Sequence, residues 1–166
     1  MDRFINFADK LSEVTAKIFA WLIIPLVLGL FYEVIARYAF KAPTVWAYDL
    51  TYMLYGTMFI LGSPYALCKD KHIRIDVFYQ RFSPRQKGIV DVCLYLILFF
   101  PAVIVLFVKG IDYAAFSWQM REVSSAGAWR PPLYPLKMVL PVAMFIMLLQ
   151  GIAQFIRSIR LAKGGK

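Results

Sequence analysis

Glu33 and Arg37 stand four residues apart inside the first long apolar run, and Tyr38, Phe40, Pro43, Thr44, Trp46 and Asp49 follow directly. Opposite charges at that spacing share one helix face, so each neutralises the other where water is scarce. Such groups inside an apolar span are costly, which makes them either a structural ion pair or a proton-exchanging site. The pairing favours structure, with Glu33, Arg37 and Asp49 locking this chain's own helices or a subunit interface, because an acid held by a guanidinium is poorly placed to pass protons to a cargo. A second polar set, His72, Arg74 and Asp76, alternates with Ile73, Ile75 and Val77. This set is open to two readings, a proton relay or the pinning of a loop by hydrogen bonds and salt bridges, and pinning is the simpler. His72 is the only histidine, so a haem held between two imidazoles of this chain is excluded. Cys68 and Cys93 lack metal-site spacing and read as small packing residues. No nucleophile, base and oxyanion donor converge, so neither an enzyme nor a cofactor or metal is expected.

The elements that must position these residues belong to a membrane. Apolar residues make up 61% of the chain, aromatic residues 17%, and the mean hydropathy is +0.62. An all-α integral membrane fold follows. Four runs approach the roughly 20 residues needed to cross a bilayer, near 18–36, 45–67, 89–108 and 136–156. They form a single membrane domain with little chain left outside it. Residues 1–17 place Phe4, Phe7, Ala8, Leu11, Val14 and Ile18 at helical spacing, which predicts an amphipathic interfacial helix feeding the first span. Asp2, Asp9 and Glu13 interrupt the start, so no cleavable signal is expected.

Lysine and arginine set the orientation. They gather before the first span, between the second and third, and after the fourth, which predicts that both termini are cytoplasmic. The net charge of +9 is then a topology signal and an attraction to anionic lipid; no nucleic-acid module is present. Ser83, Pro84 and Gln86 have the pattern of a capping box that starts the third helix. The connection from about Asp112 to Pro135 carries Trp118, Glu122, Trp129, Arg130 and several prolines, and predicts a short structured cap. Trp46, Trp118 and Trp129 suit the headgroup layer as anchors, and the cap either receives a partner or only closes the bundle. Pro25, Pro64, Pro101 and Pro141 are expected to bend helices, and Gly29, Gly56 and Gly62 to permit close helix approach. No span shows a row of polar groups that would bind a solute.

The chain resembles the small membrane subunit of tripartite ATP-independent periplasmic (TRAP) transporters. Glu33, Arg37, Tyr38, Phe40, Pro43, Trp46 and Asp49 are similar to that family's first hairpin, His72, Arg74 and Asp76 to its cytoplasmic loop, and Ser117, Trp118, Glu122, Ser124, Pro132, Pro135, Lys137 and Pro141 to its far loop and last helix. Asp49 stands where the family more often has Glu. The resemblance implies a bacterial or archaeal inner-membrane protein working with a large membrane subunit and a soluble extracytoplasmic binding protein, in sodium-driven uptake of an organic acid. It also implies a stationary scaffold, with translocation left to the large subunit. The rival reading is a self-sufficient, four-helix, proton-coupled exporter using Glu33.

Overall fold

The computed structural model describes residues 1–69 and 83–164. His72, Arg74 and Asp76 therefore lie outside the described residues. Within these bounds the chain is helical apart from its turns and one isolated antiparallel bridge, Val123 with Pro132. The helices are α1 (Asp2–Ala20), α2 (Ile23–Tyr38), α3 (Ala47–Cys68), α4 (Pro84–Leu94), α5 (Phe100–Gln119) and α6 (Tyr134–Ala162), with a π turn at Tyr95–Phe99 joining α4 to α5.

Three helical stretches, 2–38, 85–119 and 134–162, are long and apolar enough to cross a membrane. α3, which carries Asp49 and four tyrosines, falls outside that set, although its 22 residues match a bilayer in length. The centre of the fold is α6, which packs on α1, α3, α4 and α5. Half of its most apolar stretch is buried, against 11% for each of the other two, so α2 and α4–α5 turn most of their apolar surface outward. Leu61 and Leu67 of α3, Tyr95, Val103 of α5 and Ala143, Met144 and Met147 of α6 form the main core, flanked by Phe99, Phe100, Phe107 and Phe155.

α1 runs three residues beyond the predicted 1–17, and the chain breaks helical continuity at Trp21 and Leu22. Its buried stripe is Ile5, Ala8 and Ser12, facing α3 and α6, while Phe7, Val14 and Ile18 of the expected stripe point outward. Small residues bring the helix axes together, which leaves the larger ones outside.

Capping starts α4 at Ser83. Its hydroxyl accepts from the Gln86 N–H, and the Gln86 side chain accepts from the Ser83 N–H at 2.9 Å. Pro64, buried within α3, removes the N–H that the Ile60 carbonyl would have accepted. The neighbouring Ser63 hydroxyl donates to that carbonyl at 2.8 Å, so the freed acceptor is satisfied inside the helix. Pro101 follows the π turn, where the Phe100 N–H reaches back five residues to the Tyr95 carbonyl.

The close approaches fall on other glycines than those expected from sequence. Gly56 and Gly62 face open space and Gly29 makes only ordinary contacts. Instead Gly88 lies against the backbone of Ser158 and Ala162, and Gly151 against the Phe99 ring. At both positions a Cβ would collide with its neighbour. α5 also runs past the predicted 108 to Gln119, so the connection to α6 is shorter than the 112–135 segment anticipated.

Candidate functional site

Glu33 sits on the buried side of α2, and the turn after that helix brings Thr44 back to it. One carboxylate oxygen of Glu33 accepts from Arg37 Nε at 2.8 Å and from a terminal guanidinium nitrogen; the other accepts from the Thr44 N–H at 2.9 Å and from the Thr44 hydroxyl. The same hydroxyl oxygen accepts from the Ala47 N–H at 3.3 Å, in the first turn of α3. Glu33 thus ties the end of α2 to the start of α3. Both of its oxygens are occupied, which leaves no easy place for a travelling proton. Trp46 stacks on Tyr32 across the same hairpin, with ring centroids 5.8 Å apart. Beside the pair lies an open cleft of about 410 Å³, lined also by Thr44, Tyr48, Thr51 and Tyr52.

Asp49, in the first turn of α3, is 2% exposed and does not join the Glu33 cluster. The Ser124 hydroxyl donates to its Oδ1 at 2.6 Å, which pins the α5–α6 connection onto the α2–α3 hairpin. Gly127 packs over the carboxylate, and a Cβ there would lie 2.8 Å from Asp49 Oδ2 and 3.3 Å from the Val45 carbonyl. The connection is further shaped by the Val123–Pro132 bridge, by the Ser124 N–H donating to the Pro131 carbonyl at 2.8 Å, and by the Leu133 N–H donating to the Glu122 carbonyl at 2.9 Å. Glu122 pairs with Lys137 at 2.5 Å, and the Lys137 ammonium lies 3.8 Å from the Tyr113 ring centroid. The hydrogen bond from Lys137 holds the Glu122 carboxyl below its usual range. Trp118 meets Tyr134 edge-on at 4.7 Å, whereas Trp129 and Arg130 are exposed and far from the Glu33 pair in sequence.

A polar web that no local sequence pattern announces joins the helices at the other end of the bundle. Gln150 is fully buried in α6; it accepts from the Ser12 hydroxyl at 2.9 Å and donates to Asp9 Oδ1 at 2.9 Å. Arg157 binds Asp9 Oδ2 and donates to Gln154 Oε1 at 3.0 Å. Gln154 Nε2 donates to the Leu67 carbonyl at 2.9 Å, satisfying an acceptor at the C-terminal end of α3. The Cys68 thiol lies 3.4 Å from Asp9, so this cysteine joins the web rather than acting only as apolar packing. Asp2 pairs with Arg160 nearby. The spacing of Gln150, Gln154 and Arg157 on one helix face was the available signal, but its meaning depends on Asp9 and Ser12, more than 130 residues away. The web fastens α1 to α6 and the end of α3.

The family model described as "Tripartite ATP-independent periplasmic transporters, DctQ component" matches residues 26–161. The chain belongs to this family. A search of curated proteins found no match. The match begins at Leu26, after α1, so the anchoring of α1 through Asp9, Ser12 and Gln150 lies partly outside the family's matched region. As a DctQ component, the chain is a membrane part of a transporter rather than a member of an enzyme family. Among the described residues no group of His, Cys, Asp and Glu is placed to hold a metal ion.

Proposed function

We propose that this DctQ component is the fixed frame of a sodium-driven importer of an organic acid. It would sit in the cytoplasmic membrane of a bacterium or archaeon with α2, α3, α4–α5 and α6 as four spans, α1 at the interface and both termini in the cytoplasm. A large membrane subunit would carry the substrate, and a soluble binding protein would deliver it to the side of the 39–46 and 120–133 connections. The exposed apolar faces of α2 and α4–α5 offer surface to the large subunit as well as to lipid.

The observation carrying this reading is that the buried polar groups are spent on one another. Solute binding in a membrane needs polar groups with unused bonding capacity. Among the described residues, the buried side-chain oxygens without a hydrogen-bond partner are Asp49 Oδ2 and Ser117 Oγ. Both belong to helix turns beside the same two connections, so they outline no route across the bundle. Glu33, the acid a proton-coupled exporter would use, already accepts from Arg37 and Thr44 through both oxygens.

Reconstitution in liposomes tests the proposal. With an inward sodium gradient, uptake of the organic acid should require the large subunit and the binding protein together with this chain. Uptake or proton-driven export by the chain alone would overturn it.

A further inference from the structure

Five basic residues lie in or beside the two connections at the Glu33 end, with Lys109 about three turns back along α5, and the six divide into two groups. Arg37 holds Glu33, Lys109 holds Asp112 and Lys137 holds Glu122. Lys41, Arg121 and Arg130 are exposed and have no acidic partner among the described residues. The same three are the non-glycine residues with positive φ in the described chain, at 53°, 47° and 49°. Side chains are rarely placed in this left-handed region, where glycine rests without penalty.

Arg121 makes the contrast plain. It follows the C-cap of α5, its N–H donates to the Trp118 carbonyl at 3.2 Å, and the Glu122 N–H donates to the Ser117 carbonyl at 3.1 Å. This is the Schellman arrangement, whose left-handed position is usually glycine. After the C-cap of α6 the chain does use Gly164, at φ 75°. Lys41 turns the chain after α2 so that the Ala42 N–H reaches the Ala36 carbonyl at 2.9 Å. Arg130 leads into Pro131, whose carbonyl accepts from Ser124. Three loop corners therefore carry a long cation where backbone geometry alone would select glycine.

We propose that Lys41, Arg121 and Arg130 form a preorganised cationic face that docks an acidic surface of the soluble binding component. The inference rests on the topology proposed above. Ser124 bound to Asp49, with Gly127 against Val45 and Asp49, joins the two connections into one body, so the three corners keep their relative places. A fluid headgroup layer needs no such fixed spacing, whereas a folded acidic surface does. Unpaired charges of this kind speed and orient encounter, and salt weakens them.

The test uses the complete transporter in liposomes, with uptake measured against binding-protein concentration at low and high ionic strength. The triple variant K41G/R121G/R130G should raise the half-saturating concentration about tenfold at low salt and much less at high salt. Its thermal midpoint should be no lower than that of the parent, since glycine relaxes each corner. R121K with R130K should retain docking. An unchanged half-saturating concentration, or a shift matched by a lower thermal midpoint, would overturn the inference. So would normal docking combined with an altered dependence on anionic lipid, which would assign the cations to headgroups. Labelling S125C with an impermeant maleimide, above the background of Cys68 and Cys93, separates the two levels. Labelling only from the cytoplasmic side would remove both topology and docking face, while outside labelling with unchanged docking would remove the docking face alone.

Discussion

Ser124 donates its hydroxyl to Asp49 across 75 positions of sequence, and this bond holds the α5–α6 connection on the α2–α3 hairpin. Removing the hydroxyl in Ser124→Ala leaves a buried carboxylate with neither oxygen bonded to a side chain. A hydrogen bond to a charged group contributes about 1.5 to 3 kcal/mol. The variant should therefore lose a comparable amount of stability in detergent melts. Gly127→Ala should do at least as much damage, because its Cβ meets Asp49 Oδ2 at 2.8 Å and the Val45 carbonyl at 3.3 Å. Wild-type melting of both variants would dissociate the loop from the hairpin.

The Glu33–Arg37 pair predicts a non-additive result. Removing one partner of an ion pair leaves the other charge without its counter-ion, a cost that water at the guanidinium lessens. The Arg37 side chain is 55% exposed in the isolated chain, so the effect is expected in assembly, where the large subunit would exclude that water. Glu33→Ala should reduce the yield of complex with the large subunit more than Glu33→Ala combined with Arg37→Ala. Equal yields for the parent and both variants would show that the pair holds nothing together.

The web at the opposite end gives a second coupling. Gln150→Leu removes the acceptor of Ser12 and a donor to Asp9. Interhelical hydrogen bonds in membranes contribute about 0.6 to 2 kcal/mol each. The variant should free α1, seen as faster proteolysis near its N-terminus. Adding Ser12→Ala should cost less in the Gln150→Leu background than in the parent. Strict additivity in a melting series would deny the coupling.

Acid should act on the cap through Glu122. Its pKa is lowered in the fold by Lys137, so its contribution is complete above the unfolded value of about 4.3 and is lost as pH falls through the lower folded value. Tryptophan emission of the parent should hold steady from neutral pH down to about 5 and change only below about 4. Glu122→Gln should flatten that acid limb. An unchanged limb in the variant would locate the transition elsewhere.

The parts of this architecture legible in the sequence are those decided locally. Ser83, Pro84 and Gln86 specify a helix start because the cap needs only neighbours. Glu33 and Arg37 meet because helix geometry brings positions four apart onto one face. Distance in the chain hides the rest. Gln150 finds Ser12 and Asp9 only after α1 has folded back along α6, and Asp49 finds Ser124 only after the last connection forms. The glycines misled for the same reason: which one faces a neighbour depends on helix rotation, and Gly56 and Gly62 face outward. Lys41, Arg121 and Arg130 carry no local sign of a left-handed backbone, since such corners are usually read from glycine or asparagine.

The π turn at Tyr95–Phe99 holds one residue more than a regular turn, since the Phe100 N–H reaches back five residues to the Tyr95 carbonyl. The wider turn takes up that residue, so the winding on either side keeps nearly the same phase. Beyond it, Val103, Gly110, Ala114 and Ser117 are the positions that α5 buries. Deleting a single residue from Tyr95–Phe99 would restore regular winding and leave that face toward α6, whereas deleting one from the regular turns that follow would swing the face aside by about 100°. The irregular turn is therefore slack in the winding, the one place on this span where a change of length leaves the packed face in position.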